Sequence, residues 1–166
     1  SPQVHGFFSI PVDPLTARAL FLRYLTSERE LRPDRSVVIA PDAGGAKSAS
    51  RFADDLGVSV AVATKTRLSD TEVAIDPLVG RLVEGFRHAV IYDDEIATGG
   101  SVAELAGLLA ANGIEDITVM CTHGLFLGKA IEGVMNAMGR QPESIGQIQT
   151  AIIIGCAFIE ALTIYA

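Results

Sequence analysis

Two adjacent carboxylates precede a loop of small residues in the stretch VIYDDEIATGGSV, residues 90–102. Asp93 and Asp94 end an apolar run, and residues 97–101 lead into a segment with helical periodicity. Glycines at such a turn let a ligand approach the backbone, where unpaired amide hydrogens and the helix dipole attract an anion. The carboxylates suit sugar hydroxyls or a hydrated Mg²⁺. The stretch therefore indicates a sugar-phosphate site. The alternative is a solvent-exposed turn whose acids cap the next helix.

A second loop of small residues follows another β-branched run. Residues 36–40 (SVVIA) lead into PDAGG, after which AKSASRFADDL is typical of a helix closed by Gly57. The polar stretch TRLSDTEV, residues 66–73, has no periodicity and is predicted to be a mobile loop. Lys65 directly precedes this stretch, and Arg67 is its second residue. These two cations are either part of a site or ordinary solvated charges.

The elements that must position these residues alternate between strand and helix. This alternation predicts an α/β fold with a mostly parallel sheet and helices on both faces. Ligands bind such sheets beyond the carboxyl ends of the strands, where both loops fall. The predicted strands are residues 36–40, 58–65, 77–80, 88–94 and 117–123, and the predicted helices run from Pro14 to about Glu30, over residues 46–56 and over residues 101–112.

Composition limits the classes of function. The chain has 166 residues, of which 49% are hydrophobic and 20% charged, which argues for one α/β domain and against disorder. A net charge of −7 and the lack of Trp disfavour a nucleic-acid partner. Cys121 and Cys156 lie in apolar segments, and the first residues do not resemble a signal peptide. We therefore expect a cytoplasmic protein.

Four motifs in order resemble one known family. DDEIATGGS is similar to the phosphoribosyl-diphosphate signature of type I phosphoribosyltransferases. GFFSIPVDPLTA (residues 6–17), VVIAPDAGGAKSA (residues 37–49) and CTHGLF (residues 121–126) resemble more closely the ribose-phosphate diphosphokinases, also called PRPP synthetases. Several spaced motifs in order are more specific than any one of them. The resemblance covers residues 1–128 and corresponds to the C-terminal half of that family.

The resemblance also implies an activity and a role for each matching residue. It implies transfer of diphosphate from ATP to ribose 5-phosphate, with Mg²⁺ at Asp42, Asp93 and Asp94, in a homo-oligomer. Lys65 and Arg67 would be the catalytic basic pair at the root of a flexible loop. The implied substrate-binding residues are Asp42, Ala43, Gly44, Gly45, Asp93, Asp94, Ala97, Thr98, Gly99, Gly100 and Ser101.

Alternative functions are open at this point. Ala97 stands where ribose-phosphate diphosphokinases usually carry an aspartate, and an ATGG loop is familiar among purine phosphoribosyltransferases. A transferase of that type is therefore one alternative. A second is a binding module that retains the phosphoribosyl pocket without catalytic turnover.

The last part of the chain has a different character, so residues 1–132 and 133–166 are predicted to be separate units. Residues 150–166 form an apolar run with one charge, Glu160, just long enough to span a membrane. Residues 139–166 resemble the second half of the hairpin that forms the ATP synthase rotor ring. Membrane contact through residues 150–166 and a rotor component are therefore minor hypotheses. A buried element completing the α/β core is the alternative.

Overall fold

The computed structural model describes residues 6–11, 16–29, 31–67, 73–76, 78–125 and 127. Its strands are β1 (Ser36–Ala40), β2 (Ser59–Val62), β3 (Lys65–Arg67), β4 (Val73–Ile75), β5 (His88–Ile96) and β6 (Asp116–Gly124). Its helices are α1 (Arg18–Arg23), α2 (Ala46–Leu56), α3 (Val79–Leu82) and α4 (Gly100–Ala111). A π-helical turn (Tyr24–Glu28) continues α1, and a 3₁₀ turn (Pro33–Arg35) precedes β1.

The central sheet has four parallel strands in the order β2-β1-β5-β6. The central strand β1 is buried along its whole length and alternates its side chains between two cores. Ile39 packs on one face with Leu105 of α4, while Val38 packs on the other with Phe52 of α2. A strand buried on both faces requires a continuous apolar run, which SVVIA provides. The predicted parallel sheet with helices on both faces is confirmed.

Two segments between β2 and β5 differ from the sequence prediction. The strand predicted for residues 77–80 is wrong, because α3 occupies Val79–Leu82. The buried residues there are Val79 and Val83, four apart as on a helix, whereas Leu78 and Leu82 are exposed. The loop prediction for residues 66–73 is wrong at both ends of this segment, where β3 and β4 pair antiparallel. This pairing gives their backbone N–H and C=O groups hydrogen-bond partners. Residues 68–72 lie outside the described part.

The remaining helices and strands lie close to their predicted positions. The helix α2 ends at Gly57, whose φ of 68° is the left-handed conformation predicted for a glycine cap. The first predicted helix is shorter as described, since α1 begins at Arg18 and gives way to the π-helical turn at Tyr24. Residues 133–166 lie outside the described part, so the predicted division into two units stays a prediction. Within the described ranges, no helix is both long and apolar enough to cross a membrane.

Removal of the Phe52 ring tests the packing between α2 and the sheet. Phe52 is fully buried, and its ring stacks on that of Tyr92 with 4.3 Å between the ring centroids. Tyr92 directly precedes Asp93 in β5. We expect Phe52→Ala to lower the free energy of unfolding by about 3–5 kcal/mol through lost burial and a cavity. Leu82→Ala, at a side chain that is 55% exposed, is the control and should cost less than about 0.5 kcal/mol. Equal losses in urea unfolding would contradict this packing.

Candidate functional site

A cavity of about 190 Å³ lies at the carboxyl edge of the sheet. It is formed where the loop after β1 meets the end of β5 and the loop before α4. Three carboxylate residues contribute to its wall from these segments: Asp42, Asp93 and Glu95. The predicted glycine loop forms the rest of the wall through Ala97, Thr98, Gly99, Gly100 and Ser101, together with Pro41, Ile96 and Val102.

The strand that carries the acids is two residues longer than the predicted strand 88–94. The strand continues to Ile96 because β6 runs beside it, with Glu95 opposite His123 and Ile96 opposite Gly124. Successive side chains of a strand point to opposite faces, so Asp93 and Glu95 share one side. Both line the cavity, whereas Asp94 does not. The structure thus adds Glu95, which the sequence analysis missed although alternation along an extended strand could have identified it.

The loop after β1 is held by Asp42 itself. Its Oδ1 accepts a hydrogen bond from the backbone N–H of Gly45 at 3.1 Å, directly before α2 begins. A Cβ added to Gly44 would lie 3.2 Å from the same oxygen, a tight contact that favours glycine at this position. Of the four predicted loop residues Asp42, Ala43, Gly44 and Gly45, only Asp42 is among the residues that line the cavity.

The glycine loop presents backbone to the cavity. Gly99 has a φ of 72°, a left-handed conformation that residues with a Cβ rarely adopt, and its carbonyl accepts the N–H of Ala103 at 2.9 Å. The first amides of α4 therefore begin at the cavity wall, and the first N–H groups of a helix lack acceptors within it. This end of the cavity is suited to an anion such as phosphate.

The opposite wall has an excess of negative charge. The pKa of Asp93 is raised above its ordinary value, mainly because burial desolvates the carboxylate and also because Asp94 and Asp42 are nearby carboxylates. The N–H of Asp94 donates to Asp93 Oδ1 at 2.9 Å, which offsets part of that effect. Burial, together with the charge of Asp93, raises the pKa of the Cys121 thiol, which pairs in register with Asp93 on β6. A cation in the cavity would relieve this repulsion.

The donor set fits Mg²⁺ in one particular way. Among the described residues, no three His, Cys, Asp or Glu side chains lie close enough to form a metal site by themselves. Mg²⁺ usually takes one or two carboxylates and fills its octahedron with water and substrate phosphates. Asp93 and Asp42 suit that arrangement, whereas Asp94, also predicted as a metal ligand, does not line the cavity.

Lys65 and Arg67 are described only through their backbone. They form β3, which begins three residues after β2 ends at Val62. The carbonyl of Ala40 accepts the N–H of Ala63 at 2.8 Å, so this connection leaves the sheet at the same edge as the cavity. Their side chains lie outside the described part, and their predicted catalytic role stays a prediction.

Solved structures share this fold. Adenine phosphoribosyltransferase from Saccharomyces cerevisiae superimposes with a TM-score of 0.53 at 21% identity, over 69% of each chain. Phosphoribosylpyrophosphate synthetase from Mycobacterium smegmatis gives a TM-score of 0.64 at 31% identity, over 81% of this chain and 42% of that one. The parallel sheet with a glycine loop at its carboxyl edge therefore defines a type I phosphoribosyltransferase-like fold.

Curated relatives identify the family within that fold. The chain is 43% identical to the ribose-phosphate pyrophosphokinase of Deinococcus radiodurans over 136 residues, covering 81% of this chain and 41% of that protein. It is 37% identical to the enzyme of the same name from Aquifex aeolicus over 137 residues, covering 82% and 43%. The chain is thus a homologue of the ribose-phosphate pyrophosphokinases, as its motifs predicted. It spans about two fifths of the length of these relatives.

A family model also matches the end of the chain. The model for the C subunit of ATP synthase matches residues 117–166. Its first eight residues, 117–124, lie in β6, a strand paired in parallel with β5. Those residues are therefore part of the α/β sheet, and the match beyond residue 127 lies outside the described part.

The raised pKa of Asp93 predicts how stability depends on pH. The folded protein binds the Asp93 proton more tightly than the unfolded chain does. In the unfolded chain, the pKa of this side chain is near the ordinary value of 3.8. Ionisation therefore costs stability, and this cost appears as pH rises through the folded pKa. We expect Asp93→Asn to raise the free energy of unfolding at pH 7 in the absence of metal, by an amount that shrinks towards pH 4.

The matched control is Asp54→Asn, which removes an exposed carboxylate outside the cavity and reports the effect of net charge alone. Both variants are compared with the unmodified protein by chemical denaturation at several pH values. An Asp93→Asn protein that is less stable than the unmodified protein at pH 7, or whose stability changes equally at every pH, would contradict a raised pKa of Asp93.

Proposed function

We propose that the chain carries the site of a ribose-phosphate pyrophosphokinase, which transfers diphosphate from ATP to ribose 5-phosphate. The observation that supports this most strongly is one cavity with an amide-lined wall and an acidic wall. The 5-phosphate would bind the amides of Gly100 and Ser101, and the ribose hydroxyls would donate to Asp93. Binding at both parts of the wall would orient the sugar.

The reaction requires positioning more than a protein nucleophile. The 1-hydroxyl oxygen of ribose 5-phosphate attacks the β-phosphorus of ATP and forms the new P–O bond. The bond from that phosphorus to the α–β bridging oxygen breaks, AMP leaves with that oxygen, and the hydroxyl proton passes to solvent. Such transfer is accelerated by in-line alignment and by neutralisation of negative charge. The cavity residues contribute the alignment.

The proposal includes Mg²⁺ held by Asp42 and Asp93, where it would neutralise phosphate charge. Lys65 and Arg67 would add positive charge over the nucleotide from β3. The role predicted for Asp94 stays a prediction, since this residue does not line the cavity. Assembly as a homo-oligomer and a cytoplasmic location are part of the same proposal. Membrane contact through residues 150–166 is a minor proposal, supported by the apolar sequence and the family-model match.

One observation favours a second candidate, a purine-type phosphoribosyltransferase. Ala97 lines the cavity with a methyl group, and its carbonyl accepts the N–H of Leu127 at 2.7 Å. An ATGG loop of this kind is familiar from the purine enzymes. The two activities share the phosphoribosyl site and differ in the second substrate, so product analysis separates them.

Product analysis tests the proposal directly. With Mg²⁺, ATP and ribose 5-phosphate, we expect AMP and phosphoribosyl diphosphate in equal amounts. Phosphoribosyl diphosphate with adenine or hypoxanthine should yield no diphosphate. Diphosphate release in the second reaction, without AMP in the first, would establish the transferase instead. Saturable binding of ribose 5-phosphate without either product would identify a binding module.

Substitution at Gly99 tests the phosphate loop. We expect Gly99→Ala to weaken ribose 5-phosphate binding by about tenfold or more, since an added Cβ strains the loop and moves its amides. Gly57→Ala is the matched control, because Gly57 has a similar φ of 68° but caps α2 away from the cavity. Titration calorimetry measures both affinities, and an equal effect of the two substitutions would argue against a phosphate site at Gly99.

A further inference from the structure

A second cavity of about 200 Å³ lies at the amino edge of the sheet. Four arginines line it, from three separate segments: Arg29, Arg32, Arg35 and Arg87. Arg29 follows the π-helical turn, Arg32 and Arg35 flank Pro33 and Asp34 before β1, and Arg87 precedes β5. The whole chain has only 13 Lys and Arg residues and a net charge of −7, so four arginines around one cavity are a marked local concentration.

Backbone hydrogen bonds hold these segments together. The N–H of Arg87 donates to the carbonyl of Arg35 at 2.9 Å, and the N–H of Glu115 donates to the carbonyl of Arg87 at 2.8 Å. The buried hydroxyl of Ser36 donates to the carbonyl of Arg32 at 2.7 Å. The backbone segments that carry Arg32, Arg35 and Arg87 are therefore held beside one another.

The carboxylates nearby engage the guanidiniums only in part. Arg87 Nη1 lies 2.9 Å from Glu115 Oε1, and Arg29 Nη2 lies 2.7 Å from Asp116 Oδ2; these two acids also line the cavity. Arg32 and Arg35 reach one oxygen of Asp34 at 3.5 and 3.8 Å, and both side chains are at least 60% exposed. Exposed pairs at such distances contribute little.

Donor capacity is therefore in excess. A guanidinium has five N–H donors in a planar fork, and one carboxylate contact uses a minority of them. Among the described residues, Arg32 and Arg35 share the single carboxylate of Asp34. Arg87 contacts Glu115, and Arg29 contacts Asp116. Burial lowers the pKa of His88, and Arg29 acts in the same direction while Asp116 opposes it, so a positive charge on this ring is disfavoured. The local balance favours an anion with several acceptor oxygens.

We propose that this arginine cavity binds a small phosphate oxyanion, inorganic phosphate or diphosphate. Planar guanidinium forks match the oxygens of such ions. Drug-sized ligands occupy pockets of roughly 300–1,000 Å³, and this cavity of about 200 Å³ suits an ion rather than a whole nucleotide. The site is separate from the carboxyl-edge cavity, because His88 and Asp93 lie five residues apart on β5, about 16 Å at the usual rise of a strand.

Titration with inorganic diphosphate tests the proposal. The titration uses the whole chain at constant ionic strength with EDTA, so that metal-dependent binding at the carboxyl edge is suppressed. We expect a saturable site whose affinity falls about tenfold or more in Arg32→Gln/Arg35→Gln/Arg87→Gln, because charge-assisted hydrogen bonds are lost. Arg29 is kept because its side chain is only 24% exposed and is paired with Asp116.

Two controls make the outcome specific. Arg23→Gln/Arg51→Gln/Arg81→Gln removes the same charge from exposed positions outside both cavities and should bind diphosphate as the unmodified protein does. Gly99→Ala alters only the carboxyl-edge cavity and should also retain binding. Circular dichroism verifies that each variant is folded. No saturable binding by the unmodified protein, equal loss in both arginine variants, or loss in Gly99→Ala would overturn the proposal.

Discussion

Parallel pairing of β1 with β5 is the constraint on which the site depends. The register sets Ile39 beside Ile91, so the chain leaves β1 at Pro41 next to the place where Asp93 emerges on β5. Two loops separated by about fifty residues of sequence thus meet at one edge. The pairing is held by side chains buried on both faces of the sheet, which explains the apolar runs at residues 37–40 of β1 and 89–92 of β5.

The cavity at that edge combines opposite electrostatic demands. Amides at the start of α4 favour negative charge, whereas the carboxylates of Asp42, Asp93 and Glu95 favour hydroxyl donors or a cation. A ligand with a phosphate at one end and hydroxyls at the other satisfies both walls at once. The raised pKa of Asp93 has the same origin, since burial and neighbouring acids disfavour its ionised form. Under the proposed function, a group that is unfavourable for stability at neutral pH would serve ligand binding.

The sequence allowed much of this architecture to be predicted, for identifiable reasons. Continuous apolar runs and glycine-terminated helices are local signals, and β1, α2, β5 and α4 lie close to where they were predicted. The segment DPLVGRLV was misread because its buried valines are four apart in a run too short to show periodicity. The β3–β4 pairing depends on backbone hydrogen bonds between residues ten or fewer positions apart, which polar composition does not reveal.

The candidate site was predictable in part. Glycine and acid motifs indicated residues 97–101, Asp42 and Asp93, and these line one cavity. Asp94 was included because it adjoins Asp93 in the motif, and Glu95 was not considered. Strand alternation up to Ile96 determines that Glu95, and not Asp94, faces the cavity with Asp93. The arginine cavity went unnoticed because its residues come from three segments that only the fold brings together.

A crystal structure of the chain with ribose 5-phosphate and Mg²⁺ tests the central claim most directly. The account predicts the 5-phosphate on the amides that follow Gly99, and the ribose hydroxyls or the metal at Asp93. A sugar phosphate bound elsewhere, or bound with its phosphate towards the carboxylates, would contradict it.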